Sequence, residues 1–89
     1  MIQGKLSDRI IQVNDKPIGD NIRSIRKEKN YKQNDLVKKL QINGIDISVF
    51  SYNRIEKGTQ NPTVSLLHAL CYIFDCDMND IFGMKKQKD

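Results

Sequence analysis

Three polar side chains suited to hydrogen-bond recognition fall within four positions of one another. They are Ser51, Asn53 and Arg54, in the run Ser48-Val49-Phe50-Ser51-Tyr52-Asn53-Arg54. A serine hydroxyl donates or accepts with several base edges, an asparagine carboxamide pairs with adenine, and an arginine fork matches guanine or a phosphate. The chemistry on offer is reading, not bond making. Catalysis lacks its parts: His68 is the single histidine, and no Ser/His/Asp set, paired acidic site, phosphate-binding loop or metal cluster can be assembled. Cys71 and Cys76 have no CxxC spacing, and two cysteines with one histidine make no zinc pattern. Both read as free thiols at apolar positions. No enzyme activity, cofactor or metal is expected.

Those recognition groups need a helix to hold them. Ser48 is a good N-cap, because its hydroxyl can accept from an early backbone N–H; the helix then spans Val49 to Lys57 and Gly58 ends it. Helical spacing turns Tyr52 and Ile55 inward and leaves Ser51, Asn53 and Arg54 on the exposed side. A preceding helix runs from Lys32 to Leu40 or Ile42, with Leu36, Val37 and Leu40 inward and Lys38 and Lys39 outward. Between the two lies Gln41-Ile42-Asn43-Gly44-Ile45-Asp46-Ile47, where Ile45 and Ile47 alternate with Asp46 and can pin the connection to the core. Upstream, Ile18, Ile22 and Ile25 mark a first helix over Asp20 to Asn30; Asn30 suits a left-handed C-terminal cap, and Tyr31 packs back. Downstream, Asn61-Pro62 makes a loop and Thr63 caps a fourth helix with the core stripe Val64, Leu67, Leu70, Cys71 and Phe74. Asp77 caps a fifth helix, Met78 to Phe82, with Asp80 completing a capping box.

The expected fold is all-α, five short helices around one core in residues 18–83. An N-terminal extension, 1–17, precedes it and a basic tail, 84–89, follows. The extension holds the β-prone run Arg9-Ile10-Ile11-Gln12-Val13 and the turn signal Asn14-Asp15-Lys16-Pro17. It reads as a strand paired with a partner, an arm reaching a ligand, or a frayed terminus.

The second and third helices, joined by a polar turn, have the shape by which small proteins set one helix in the DNA major groove. The chain from about Ile18 to Phe82 resembles the lambda-repressor-like (Cro/cI-type, XRE-type) helix-turn-helix family. The resemblance is carried by Ile22-Arg23-Ser24-Ile25-Arg26-Lys27, by Gln33 and Leu36, by Arg54-Ile55-Glu56-Lys57-Gly58, by Asn61-Pro62-Thr63, and by the Leu-rich helix after it. The turn between the helices is several residues longer than in the common family pattern. The resemblance implies that the first turn of helix 49–57 enters the groove, which makes Val49, Phe50, Ser51, Asn53 and Arg54 base-contact candidates. Relatives usually carry polar residues where this chain has Val49 and Phe50. Either the pair touches thymine methyl groups, or one of them seals the core beneath the long turn; the reading adopted sets Val49 at the groove and Phe50 partly packed. Gln33 opens the second helix, where the family holds a phosphate. Thr59, Gln60 and Asn61 are candidates for a second phosphate, and Lys32 and Lys57 for longer-range contacts. The resemblance makes Glu56 a structural carboxylate, paired with Arg23 or Arg26.

Charge agrees. The 89 residues carry a net +4, and its placement matters more than its size. Residues 20–60 hold nine Lys/Arg against five Asp/Glu, whereas residues 61–82 hold no Lys or Arg and three Asp. A basic stretch beside a neutral-to-acidic one fits a polyanion-binding face with a separate packing or partner face. No leader segment and no span of about 20 apolar residues stands out, and with the free thiols this points to the cytoplasm. The expected function is sequence-specific binding of double-stranded DNA as a transcriptional regulator, a repressor, acting as a homodimer. Tyr72, Ile73, Ile81, Phe82 and Met84 are the candidate interface, unless Ile73, Ile81 and Phe82 simply complete the core. One rival is an antitoxin that binds both operator and toxin. The other is a protein-interaction module of the same fold without DNA binding.

Overall fold

A computed structural model describes residues 18–83, as α1 (Ile18–Glu28), α2 (Gln33–Ile42), α3 (Val49–Lys57), α4 (Val64–Phe74) and α5 (Met78–Phe82). The expectations for residues 1–17 and 84–89, Met84 included, lie outside the described residues. α1 packs on α3 and α5, α2 on α3 and α4, and α4 on α5. Ile22, Leu36, Leu40, Tyr52, Leu70 and Ile81 are fully buried between them. The all-α, five-helix expectation holds.

The helix ends follow local chemistry. Ser48 accepts from the Ser51 N–H, and Thr63 from the Leu66 N–H, each at 3.1 Å. Asp77 and Asp80 exchange two bonds as a full capping box. α1 starts at Ile18, two residues before the expected Asp20. Asp20 therefore sits in the first turn, where a carboxylate favours the helix dipole. The same helix closes at Glu28. Asn30, at φ 65°, lets the Tyr31 N–H return to the Arg26 carbonyl at 3.0 Å. α2 begins at Gln33, with Lys32 extended as its cap residue.

Gly19 decides how closely α1 meets α3. A Cβ there would stand 2.6 Å from the Glu56 carbonyl oxygen and nearer still to that of Ile55. The backbones touch because the side chain is missing.

The connection between α2 and α3 is ordered from within. Gly44, at φ 87°, turns the chain so that the Ile45 N–H reaches the Leu40 carbonyl at 2.9 Å. The Gln41 carboxamide donates to the Ile47 carbonyl at 2.9 Å. Ile45 and Ile47 pack against the core, as their alternation predicts. They, and not Phe50, seal the long turn: Phe50 is 78% exposed, which overturns the expectation that it is partly packed. One residue into a helix capped at Ser48, its side chain projects away from the face that carries Tyr52 and Ile55.

α4 brings a second correction. Val64 is exposed and Cys71 only half-buried, while Leu66, absent from the expected stripe, is buried with Leu67, Leu70 and Phe74. Val64 opens the helix, before the chain has dropped onto α2. The buried face is set by what α4 meets, α2 on one side and α5 on the other. Ile81 belongs to the core and Ile73 and Phe82 pack against it, so of the described candidates for an interface only Tyr72 stands exposed.

Candidate nucleic-acid interface

α3 has two opposed faces. Tyr52, Ile55 and Glu56 are buried; Phe50, Arg54 and Lys57 are exposed at i, i+4 and i+7. Val49, 37% exposed, flanks the outer stripe on one side and half-buried Ser51 on the other.

The buried face is anchored by charge. The Arg26 guanidinium holds the Glu56 carboxylate bidentately, Nε to Oε2 at 2.6 Å and Nη2 to Oε1 at 3.1 Å. Its Nη1 donates to the Tyr31 carbonyl at 2.8 Å. Of the two arginines expected as partners, Arg26 is the one: it is only 8% exposed, and Arg23 is exposed. The Tyr52 hydroxyl donates to Glu56 Oε2, and Gln33 Nε2 donates to Oε1 at 3.0 Å. Burial pushes the Glu56 carboxyl upward, but the bonds from Arg26, Tyr52 and Gln33 together outweigh it and hold it below the ordinary 4.5. Burial, reinforced by that carboxylate, pushes the Tyr52 hydroxyl far up. The pair therefore stays ionic with a neutral phenol donating into it.

The network runs outward to the recognition candidates. Gln33 Oε1 accepts from Asn53 Nδ2 at 3.2 Å. The start of α2 and the middle of α3 are thus tied by a chain of bonds, Arg26–Glu56–Gln33–Asn53. A polar cleft of about 410 Å³ opens there, lined by Arg23, Arg26, Gln33, Asn53 and Lys57 together with Asp20 and Glu56. Lys32 caps α2 without a side-chain hydrogen bond to it.

A second group gathers around Arg54. Its Nε donates to Gln60 Oε1 at 3.1 Å and its Nη2 to Ser51 Oγ at 3.4 Å. Gly58, at φ 81°, folds the following loop back, so that the Thr59 N–H reaches the Arg54 carbonyl at 2.9 Å. Gln60 and Asn61 are half-buried there, and Thr59 is exposed. Structure therefore joins Ser51, Arg54 and Gln60 in one set and Gln33 and Asn53 in another. Val49 and Phe50 remain an apolar pair at the front of α3.

Sequence reasoning passed over Arg23 as a cleft residue, having read it only as a rival partner for Glu56. Its charge is visible in the sequence; its place in one cleft with Lys57 depends on the packing of α1 on α3. Elsewhere, burial pushes the Cys71 and Cys76 thiols up, Cys76 to about 12, which leaves neither a ready nucleophile. Among the described residues no helix is long and apolar enough to cross a membrane.

No curated protein matches the chain. A family model, the Cro/C1-type HTH DNA-binding domain, matches residues 21–87, most of the chain and all of the network above. This family is one of non-enzymatic DNA-binding regulators. With five helices among the described residues, the pair α2 and α3 at their centre and that match across α1 to α5, the chain belongs to the Cro/C1-type helix-turn-helix DNA-binding family.

Proposed function

We propose that this protein is a sequence-specific repressor that sets α3 in the major groove of double-stranded DNA. One observation carries the reading: Phe50, Arg54 and Lys57 form an exposed stripe on α3 while the opposite face is locked into the core through Glu56. Val49, Phe50, Ser51, Asn53 and Arg54 then lie toward the base edges. Phosphates are held by Gln33 and Lys32 at the start of α2, by Lys57, and by Thr59, Gln60 and Asn61 after α3. Arg23 joins this set, because it lines the same polar cleft as Gln33 and Lys57. Such contacts add affinity and fix register without reading sequence. Residues 18–83 supply the binding domain, with 1–17 as an extension and 84–89 as a tail.

The reading extends to a homodimer on an inverted repeat, in the cytoplasm. Exposed Tyr72 and Val64 on α4 support it, as apolar area that the core leaves over. Two half-buried cysteines that form no disulfide suit that compartment. The test is selection of bound duplexes from a random pool, followed by footprinting and light scattering on the selected site. The expected result is a two-fold symmetric footprint with half-sites about 10 base pairs apart, bound by two copies. Equal affinity for every duplex, or a lone half-site bound by one copy, contradicts it.

A further inference from the structure

Phe50 is an exposed aromatic in the first turn of α3, with Val49 beside it and no acidic residue in that turn. Nothing in the core calls for it, because Ile45 and Ile47 already close the long turn. Four residues on, and so on the same face, stands Arg54. Gln60 and Ser51 hold its guanidinium from two sides. The outer stripe of α3 is thus half apolar and half cationic, with the two halves about 6 Å apart along the helix.

The major groove sorts ligands for these halves. Its one apolar feature is the C5-methyl of thymine; cytosine shows an amino donor instead, and the purines show acceptors at N7. A phenyl ring facing the groove floor gains from burying a methyl group and loses by covering a donor that it cannot satisfy. A guanidinium fork gains most from the O6/N7 edge of guanine. Base pairs rise about 3.4 Å each, so two side chains one helical turn apart reach pairs one or two steps apart. Resting on the reading of α3 as the groove helix, we infer that the half-site contains a thymine read through its methyl group by Phe50, with Val49 beside it. A guanine one or two base pairs away is read by Arg54. Phe50 is then a specificity-determining residue, and a methyl group is what it measures.

The test uses the full chain and sites selected from a random duplex pool. Each recurring thymine is replaced singly by deoxyuridine, which removes the methyl and nothing else. One thymine per half-site should weaken binding about fourfold when replaced, the equivalent of about 0.8 kcal/mol for one buried methyl group. Phe50→Ala should bind thymine and deoxyuridine sites equally, keep the guanine preference, and melt at the unchanged temperature. Arg54→Ala should lose the guanine preference and keep the methyl effect. Wild-type protein indifferent to deoxyuridine at every position overturns the inference alone, as does a Phe50→Ala protein that still discriminates. A Phe50→Ala protein that loses affinity without any deoxyuridine effect in the wild type makes the ring a wedge or a packing group and refutes methyl reading. Failure to bind any duplex at low salt removes the groove reading itself, and this inference with it.

Discussion

Arg26 and Glu56, thirty residues apart in the chain, meet as a bidentate ion pair that is almost wholly buried. The pair ties α3 to α1, and Gln33 carries the chain of bonds on to Asn53. Breaking a buried pair on one side strands a charge, at a cost of about 3–5 kcal/mol. Arg26→Ala and Glu56→Ala should each lower the unfolding free energy by about that much, measured by urea denaturation. Arg26→Lys should recover little, since a lysine cannot reproduce the fork. Losses under about 1 kcal/mol for both alanine variants would refute the anchoring role.

The same carboxylate sets an acid limit. Its folded-state pKa lies below the ordinary 4.5, so the stability it contributes is complete above that value and is lost as pH falls through the folded value. Urea midpoints should therefore decline below pH 4.5. Glu56→Gln should start less stable at neutral pH and show a shallower acid decline. Parallel curves for the two proteins would count against this assignment.

Gly19 tests the helix crossing. Gly19→Ala drives a methyl into the Ile55 and Glu56 carbonyls, and neither is a flexible side-chain end. The expected cost is about 1–3 kcal/mol, as for overpacking elsewhere, despite alanine being the better helix former. A stabilised Gly19→Ala protein would show that α1 and α3 stand further apart.

Phosphate and base contacts separate by salt. Lys57→Ala and Arg23→Ala should weaken binding to all duplexes alike and each lower the slope of log affinity against log salt by about one. Arg54→Ala should also change which sequences are preferred. An unchanged slope in Lys57→Ala would remove that residue from the phosphate set.

The bond between Gln33 and Asn53 makes a prediction of coupling. If the α2 start and α3 are positioned together, Gln33→Ala and Asn53→Ala should be non-additive in stability and in DNA affinity, by about 0.5 kcal/mol or more in a double-mutant cycle. Strict additivity would mean that the contact at 3.2 Å transmits nothing.

Much of this protein was legible in one dimension. Ser48, Thr63, Asp77 and Gly58 announce helix ends because capping is a local hydrogen-bond exchange within three or four residues. The stripe Leu36, Val37, Leu40 and the inward pair Tyr52 and Ile55 follow from helical spacing alone. Ile45 and Ile47 could be assigned to the core because their alternation is itself local. Other features needed the packed molecule. Whether Arg23 or Arg26 meets Glu56 depends on the rotation of α1 against α3, and both arginines satisfy the sequence equally. Gly19 carries no local signal, since its reason is a backbone thirty-six residues away. Phe50 could have sealed the long turn by its size, and Val64 could have joined the core by its type; which apolar residue is buried is decided by the partner surface it meets. Tertiary structure gave that surface to Ile45, Ile47 and Leu66, and left Phe50 and Val64 outside.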